Sequence, residues 1–271
     1  MGIHDFLRVD SVLEVLKTGD KPIKVSAEDG DAYLIKHDIK GHAKRNLICE
    51  YLAYKLFKYF DISIPKAEIL VFNPSLFSEE LMHITGRFVE HHVFASKWLN
   101  ARDDLKDELY ESSKIKDELK NPEELARILV MDLWLKNSDR QPLNLNLIVS
   151  KQRVYAIDHS AIFDQNSFSS LANKQIKEYF TEPGEQGDLL INSHYFKHYF
   201  KKNPKKFFSA GIGLCDKINS SDLTFINHTL DLLPDGWQLA EDEKSAILEY
   251  LDHRKNRLHE VFTGHLDFSR K

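Results

Sequence analysis

Two cysteines in 271 residues, Cys49 and Cys215, are too few for a disulfide framework. With no Cys/His spacing of a zinc site around them, they read as buried thiols of a reducing compartment. Long apolar runs are absent too. No stretch approaches the ~18 apolar residues of a membrane span, and the start "MGIHDFLR" has no apolar core of a signal peptide, so a cytoplasmic protein with no membrane partner is expected. Position 6 is Phe6, not the Ser or Thr of a myristoylation signal. A surplus of positive charge is likewise missing. Against 42 acidic residues stand 37 basic ones, a net charge of −5, which gives no support to direct nucleic-acid binding. Internal repeats and low-complexity segments are lacking.

What is there reads as a mixed α+β chain. The turn signal "EDGD" precedes the alternating "AYLIKH", so residues 21–37 predict a hairpin, and "KAEILVF" after Pro65 predicts a strand. Between them "KRNLICEYLAYKLFKYF", about 44–60, predicts a helix. Beyond "ITGRFVEHH" the pattern turns helical, in "DDLKDELYESSKIKDEL" and then "NPEELARILVMDLWLKN". There Asn121 is the expected cap, Pro122 the first-turn residue and Glu124 the partner in a capping box. The last third is helical as well. The spacing thus predicts a strand-rich unit over 1–90 and a larger, mostly helical one over 91–271.

The chemistry concentrates in "KNSDRQPLNLNLIVSKQRVYAIDHSAIF", residues 136–163. A carboxylate followed five positions later by an amide is an arrangement that phosphotransferases use, one group orienting the nucleophile and the other binding magnesium. Three Asp/Asn pairs with this spacing occur: Asp132 with Asn137, Asp139 with Asn144 and Asp222 with Asn227. Asp132 falls inside an apolar helix and Asp222 at a helix start, where a capping role accounts for it. Only Asp139 lies in a loop between a helix and a strand. The runs "LNLIVS" and "RVYAID", joined at Lys151 and Gln152, predict a hairpin with Ser150 opposite Arg153. Continued, that register sets Leu145 against Asp158 and Asn144 against His159, which would bring Asp158 beside Asn144 as an oxygen pair suited to Mg²⁺. Lys36 ends the strand "AYLIK", and Glu50 lies on the flank of helix 44–60 between Tyr54 and Phe57, away from Lys44, Lys55 and Lys58. A buried carboxylate there needs a cation, and Lys36 is the candidate.

In order along the chain, "AYLIK", "NLICEYLAYKLF" with "DISIPKAEI", "DLWLKNSDRQPLNLNLI", "VYAIDHSAIF", "LLPDGW" and "LEYLDHRKNRL" resemble the HipA-like kinases, relatives of the phosphatidylinositol kinases. The NxDRxxxN block followed by the IDH block carries most of the resemblance. It implies a two-lobed protein-kinase-like fold, a small strand-rich N-lobe above a larger helical C-lobe, and an ATP- and Mg²⁺-dependent phosphotransferase acting on protein Ser or Thr. By that resemblance Asp139 is the catalytic aspartate and Asn144, rather than Asn146, a metal ligand with Asp158. Lys36 is the nucleotide-binding lysine, with Glu50 as its partner, and Phe88 and Glu90 are hinge residues. The stretch expected to cover the phosphates, "KTGDKPIKVSAEDG", holds only Gly19 and Gly30. Asp267, in the tail "HLDFSRK", imitates the metal aspartate but reads as a surface residue. A kinase of a small molecule or lipid head group, and a catalytically weak nucleotide-binding regulator, are the alternatives.

Overall fold

The computed structural model describes residues 6–16, 22–36, 43–76, 92–99, 119–180 and 190–268. Phe88, Glu90, Gly19 and nearly all of "DDLKDELYESSKIKDEL" lie outside them. The predicted first hairpin forms: β2 (Ile23–Ala27) pairs antiparallel with β3 (Ala32–Ile35), Val25 opposite Tyr33. It belongs to a closed barrel that also takes in β1 (Leu7–Val15), β4 (Ala67–Val71) and β5 (His92–Lys97), in the order β1-β2-β3-β5-β4. A parallel pairing of Leu7 and Arg8 with Leu70 and Val71 closes it. Period-two alternation fills the barrel, with Ile23, Val25, Ala27, Tyr33, Ile35, Val93 and Ala95 forming one buried cluster. Two expectations change here. The strand-rich unit is a closed barrel, and β5 carries its sheet beyond residue 90, where the sequence pattern predicts helix.

Helix α1 (Ala43–Tyr59) bears out the predicted helix. From Leu47 to Tyr54 every residue is buried, so this helix is internal rather than amphipathic. It packs into the main apolar cluster, which also takes Ala67, Ile69 and Phe94 from the barrel strands and most buried residues of the helical part. Helix α2 (Glu124–Leu135) is buried along its length, but the expected capping box does not form. Instead Asn121 Oδ1 accepts from Val154 N at 3.1 Å and Glu124 Oε1 from Ser63 N at 2.5 Å. Both side chains tie the helix start to neighbouring segments. Their hydrogen bonds go to tertiary partners, leaving the first turn without a side-chain cap.

The second hairpin follows, β6 (Leu147–Ser150) against β7 (Arg153–Ala156), with Ser150 opposite Arg153 as the alternation predicts. Lys151 and Gln152 both take positive φ, 50° and 65°, as a tight two-residue turn requires. Helices α3 (Lys174–Glu178), α4 (His194–Lys202), α5 (Pro204–Ser220), α6 (Thr224–Asp231), α7 (Glu241–Lys255) and α8 (Leu258–Phe268) complete the helical part. Asp222 accepts from Thr224 N at 2.9 Å at the start of α6, the capping kind of role expected of it. Among the described residues no helix is long and apolar enough to cross a membrane.

Candidate active site

The frame of the site is the C-terminal end of α2. Arg254 of α7 is buried and donates to the carbonyls of Trp134 (2.9 Å) and Leu133 (2.6 Å), oxygens that a helix end leaves without intrahelical partners. Its guanidinium stacks 3.7 Å above the Phe180 ring. Lys136 then turns the chain with a left-handed backbone, φ 50°, and the loop 137–146 begins.

That loop is organised by an ion pair inside the protein. Asp132 points from α2 into the loop, where Oδ2 meets Arg140 Nε at 2.8 Å and Oδ1 accepts from Asn137 Nδ2 at 3.1 Å. Arg140, fully buried, spreads its other donors over Leu145 O (2.9 Å), Asn146 O, Ile157 O (3.4 Å) and the His159 ring. One guanidinium therefore holds both the loop and the segment after β7. Asp132 and Asn137, the first of the three Asp/Asn pairs, form this buried frame. Asp139 stands on it, its amide donating to Asn137 Oδ1 at 3.3 Å.

The two asparagines that compete for one role in the sequence take different ones. Asn146 Nδ2 donates to the Asp139 carboxylate, Oδ2, at 2.9 Å. Asn144 is exposed, donates weakly to the Asp139 carbonyl at 3.3 Å, and its amide oxygen has no protein donor among the described residues. The extrapolated register fails beyond the strands. The last rung is Leu147 with Ala156, followed by one bond from Ile157 N to Asn146 O at 2.9 Å. Asn146 and Asp158 then both enter the left-handed region, φ 46° and 56°, so the expected facing of Asn144 and His159 is not made. Asn and Asp are the non-glycine residues that adopt this backbone most readily.

Turned out of the ladder, Asp158 reaches the barrel side. The alternation that buries Ile35 points Lys36 outward, where Nζ lies 2.7 Å from Glu50 Oε1 and in contact with Asp158 Oδ1. Burial would push the Lys36 ammonium down, yet the Asp158 and Glu50 carboxylates outweigh it and hold it above the usual lysine range. Burial would push Glu50 up, and Lys36 together with the His159 amide at 3.1 Å holds it well below the usual carboxylate range. His159 itself is kept neutral, its pKa lowered by burial. A guanidinium only donates, so Nε2 accepts from Arg140 at 3.1 Å and the ring proton sits on Nδ1, facing Glu50.

Lys36, Glu50 and Asp158 are thus brought together as one charge cluster, while Asp139, Asn144 and Asn146 form a second group on the adjoining loop. Sequence reasoning missed Arg140, His159 and Asn146 as parts of the site. Arg140 and His159 lie inside the NxDRxxxN and IDH blocks, their only signal, and Asn146 lies two positions beyond the first block. Among the described residues no three His, Cys, Asp or Glu side chains gather into a metal cage. An ion here would be one that shares its coordination with water and phosphate, which suits Mg²⁺, and the exposed Asn144 amide oxygen is a donor of the right kind.

The HipA-like kinase family matches residues 9–266. The chain belongs to the HipA-like kinases. Among curated proteins no sequence matches it. Among solved structures, the Helicobacter pylori proinflammatory kinase CtkA is similar at 14% identity and a TM-score of 0.61, covering 97% of this chain and 96% of that one. The fold is therefore kinase-like, and the resemblance read from the sequence blocks is borne out at the level of the family.

Proposed function

We propose that this HipA-like kinase is an ATP- and Mg²⁺-dependent phosphotransferase acting on protein Ser or Thr in the cytoplasm. In this reading the barrel with α1 forms the smaller lobe and the remaining helices the larger, with the nucleotide between them. The observation that carries it is Lys36 held between Glu50 and Asp158, two carboxylates from different elements converging on one strand-end lysine. An ammonium so placed is a fixed positive charge for nucleotide phosphates. Asp158 and Asn144 would hold magnesium, which when bound would neutralise charge developing on the phosphate oxygens. Asp139 would accept the proton of the substrate hydroxyl at Oδ1, the carboxylate oxygen to which Asn146 does not donate. Leu143, 77% exposed at the tip of the turn closed by Gln141 and Asn144, is an apolar side chain on the same loop as Asp139 and supports a peptide substrate over a sugar.

The test is labelled ATP with Mg²⁺, offered cell-lysate protein in one arm and phosphatidylinositol vesicles in another. Wild type should label protein, and folded Asp139→Ala should lose roughly 10²–10⁴-fold of the rate, the contribution of a positioned general base. Unchanged labelling by folded Asp139→Ala would remove that residue from the chemistry. Label in lipid alone would move the substrate class.

A further inference from the structure

Arg45, near the start of α1, has no part in the reading above, yet it makes the most concentrated set of contacts to the segment after Asp158. Nε donates to Asn166 O at 2.8 Å, Nη1 to Ser160 O at 3.0 Å and Nη2 to Ile162 O at 2.8 Å. The remaining polar contact is local, Nη1 to Asn46 Oδ1 at 3.4 Å, and the Phe168 ring lies 5.7 Å from the guanidinium carbon. The three carbonyls bracket an unusual backbone. Phe163, Asp164 and Gln165 take φ of 61°, 52° and 57°, three successive non-glycine residues in the left-handed region. Such a backbone is disfavoured for L-residues and persists only when its surroundings hold it. Carbonyls flanking it have no helix or strand ladder and must find donors elsewhere. A planar guanidinium supplies several at once, which an ammonium does not.

Five residues further along α1, about 7.5 Å at 1.5 Å per residue, sits Glu50. Its Oε1 accepts from Lys36 and its Oε2 from the amide of His159, directly after Asp158. One helix therefore grips the Asp158 segment twice. We infer that Arg45 is a positioning residue: by fixing the carbonyls of Ser160, Ile162 and Asn166 it sets where the Asp158 carboxylate points and couples the Lys36–Glu50 pair to it. Its effect on metal use rests on the phosphotransferase reading. The clamp itself does not.

The test uses full-length Arg45→Ala and Arg45→Lys, with Val261→Ala in the core of α8 as a control for general loss of stability. In the ligand-free protein, hydrogen exchange of amides 160–168 should quicken at least tenfold in Arg45→Ala, with the hairpin 147–156 unchanged and Arg45→Lys between the two. The Mg²⁺ concentration giving half of the ATP-induced rise in Tm should increase at least fivefold in Arg45→Ala and stay at the wild-type value in Val261→Ala. If Arg45→Ala does not fold, Arg45→Gln, with a single donor nitrogen in place of three, takes its place. Unchanged exchange in 160–168 overturns the clamp. Faster exchange with an unchanged Mg²⁺ requirement overturns the coupling to Asp158. Should wild type itself ignore Mg-ATP, the phosphotransferase reading and the coupling fall together, and the exchange data alone decide the clamp.

Discussion

Lys36 is one cation between two carboxylates, and only one of them is free to leave. Glu50 is buried and also receives the His159 amide, whereas Asp158 sits at the end of a hairpin and shares an oxygen with the Ser160 hydroxyl at 3.1 Å. Removing Lys36 strands a buried carboxylate, so Lys36→Met should lose both stability and ATP use, while Glu50→Gln, which keeps a neutral acceptor, should be milder in both. The pH dependence separates the groups by sign. His159 has a lowered folded pKa, so it favours the folded state above about 6.5 and its contribution falls away as pH drops below that. Glu50 is also depressed, so its contribution is present above about 4.5 and is lost as pH falls further, toward its folded value. Urea unfolding measured from pH 7 down to pH 3.5 should show two successive losses, and Glu50→Gln should keep the first and lack the second. Two intact losses in Glu50→Gln would take Glu50 out of the acid limb. At this scale the loop position of Asp139 was legible because it is the one Asp of the three pairs that falls between a helix and a strand. Lys36 and Glu50 were legible from strand-end position and helix phase. Asn146 was not, because two identical asparagines two positions apart differ only in backbone conformation, which no residue type announces.

Elements show the same division between local and distant causes. The hairpin β6–β7 could be placed with its register because alternation and turn length are local. The closure of the barrel could not, since β5 meets β3 and β4 across long stretches of chain and its short run carries no mark of partners. Asn121 and Glu124 fit a capping box by spacing but face tertiary partners, which a local rule cannot weigh. The last third is expected to be helical without helix boundaries, and the structure breaks its final stretch between Lys255 and Leu258. The β6–β7 turn offers a test at this scale. Lys151 and Gln152 both hold positive φ, a backbone that costs an ordinary L-residue roughly 1–2 kcal/mol and Asn-Gly far less. The double change Lys151→Asn/Gln152→Gly should therefore stabilise the protein by about 1 kcal/mol and raise Tm by about 2–4 °C. Both positions are exposed and lie at the end of the hairpin away from Asp158, so activity should not change. A lower Tm would show that the lysine and glutamine side chains contribute contacts that outweigh the backbone gain.

For the whole molecule the question is whether the hairpin end, the loop and the barrel act as one binding unit. Asp158 comes from the segment after β7, Lys36 from the barrel and Glu50 from α1, so a ligand that engages Asp158 and Lys36 together bridges parts of the chain more than a hundred residues apart. A ligand that binds the folded state alone raises its stability by RT ln(1 + [L]/Kd), about 2.7 kcal/mol at 100 times Kd. Mg-ATP should accordingly raise the wild-type Tm by several degrees, and ATP with a chelator by much less. Asp158→Asn should lose most of the Mg²⁺-dependent part, because an amide is a poorer ligand for a hard cation than a carboxylate. Adding Asn144→Ala should cost little more, since both side chains would serve one ion and their losses do not add. The control is Asp267→Asn, at the exposed end of α8, in the tail motif that imitates the metal aspartate. It should respond as wild type does. A full Mg-ATP shift in Asp158→Asn, or a lost one in Asp267→Asn, would place the metal elsewhere in the molecule. Additive losses from Asp158→Asn and Asn144→Ala would mean that the two residues serve different ligands.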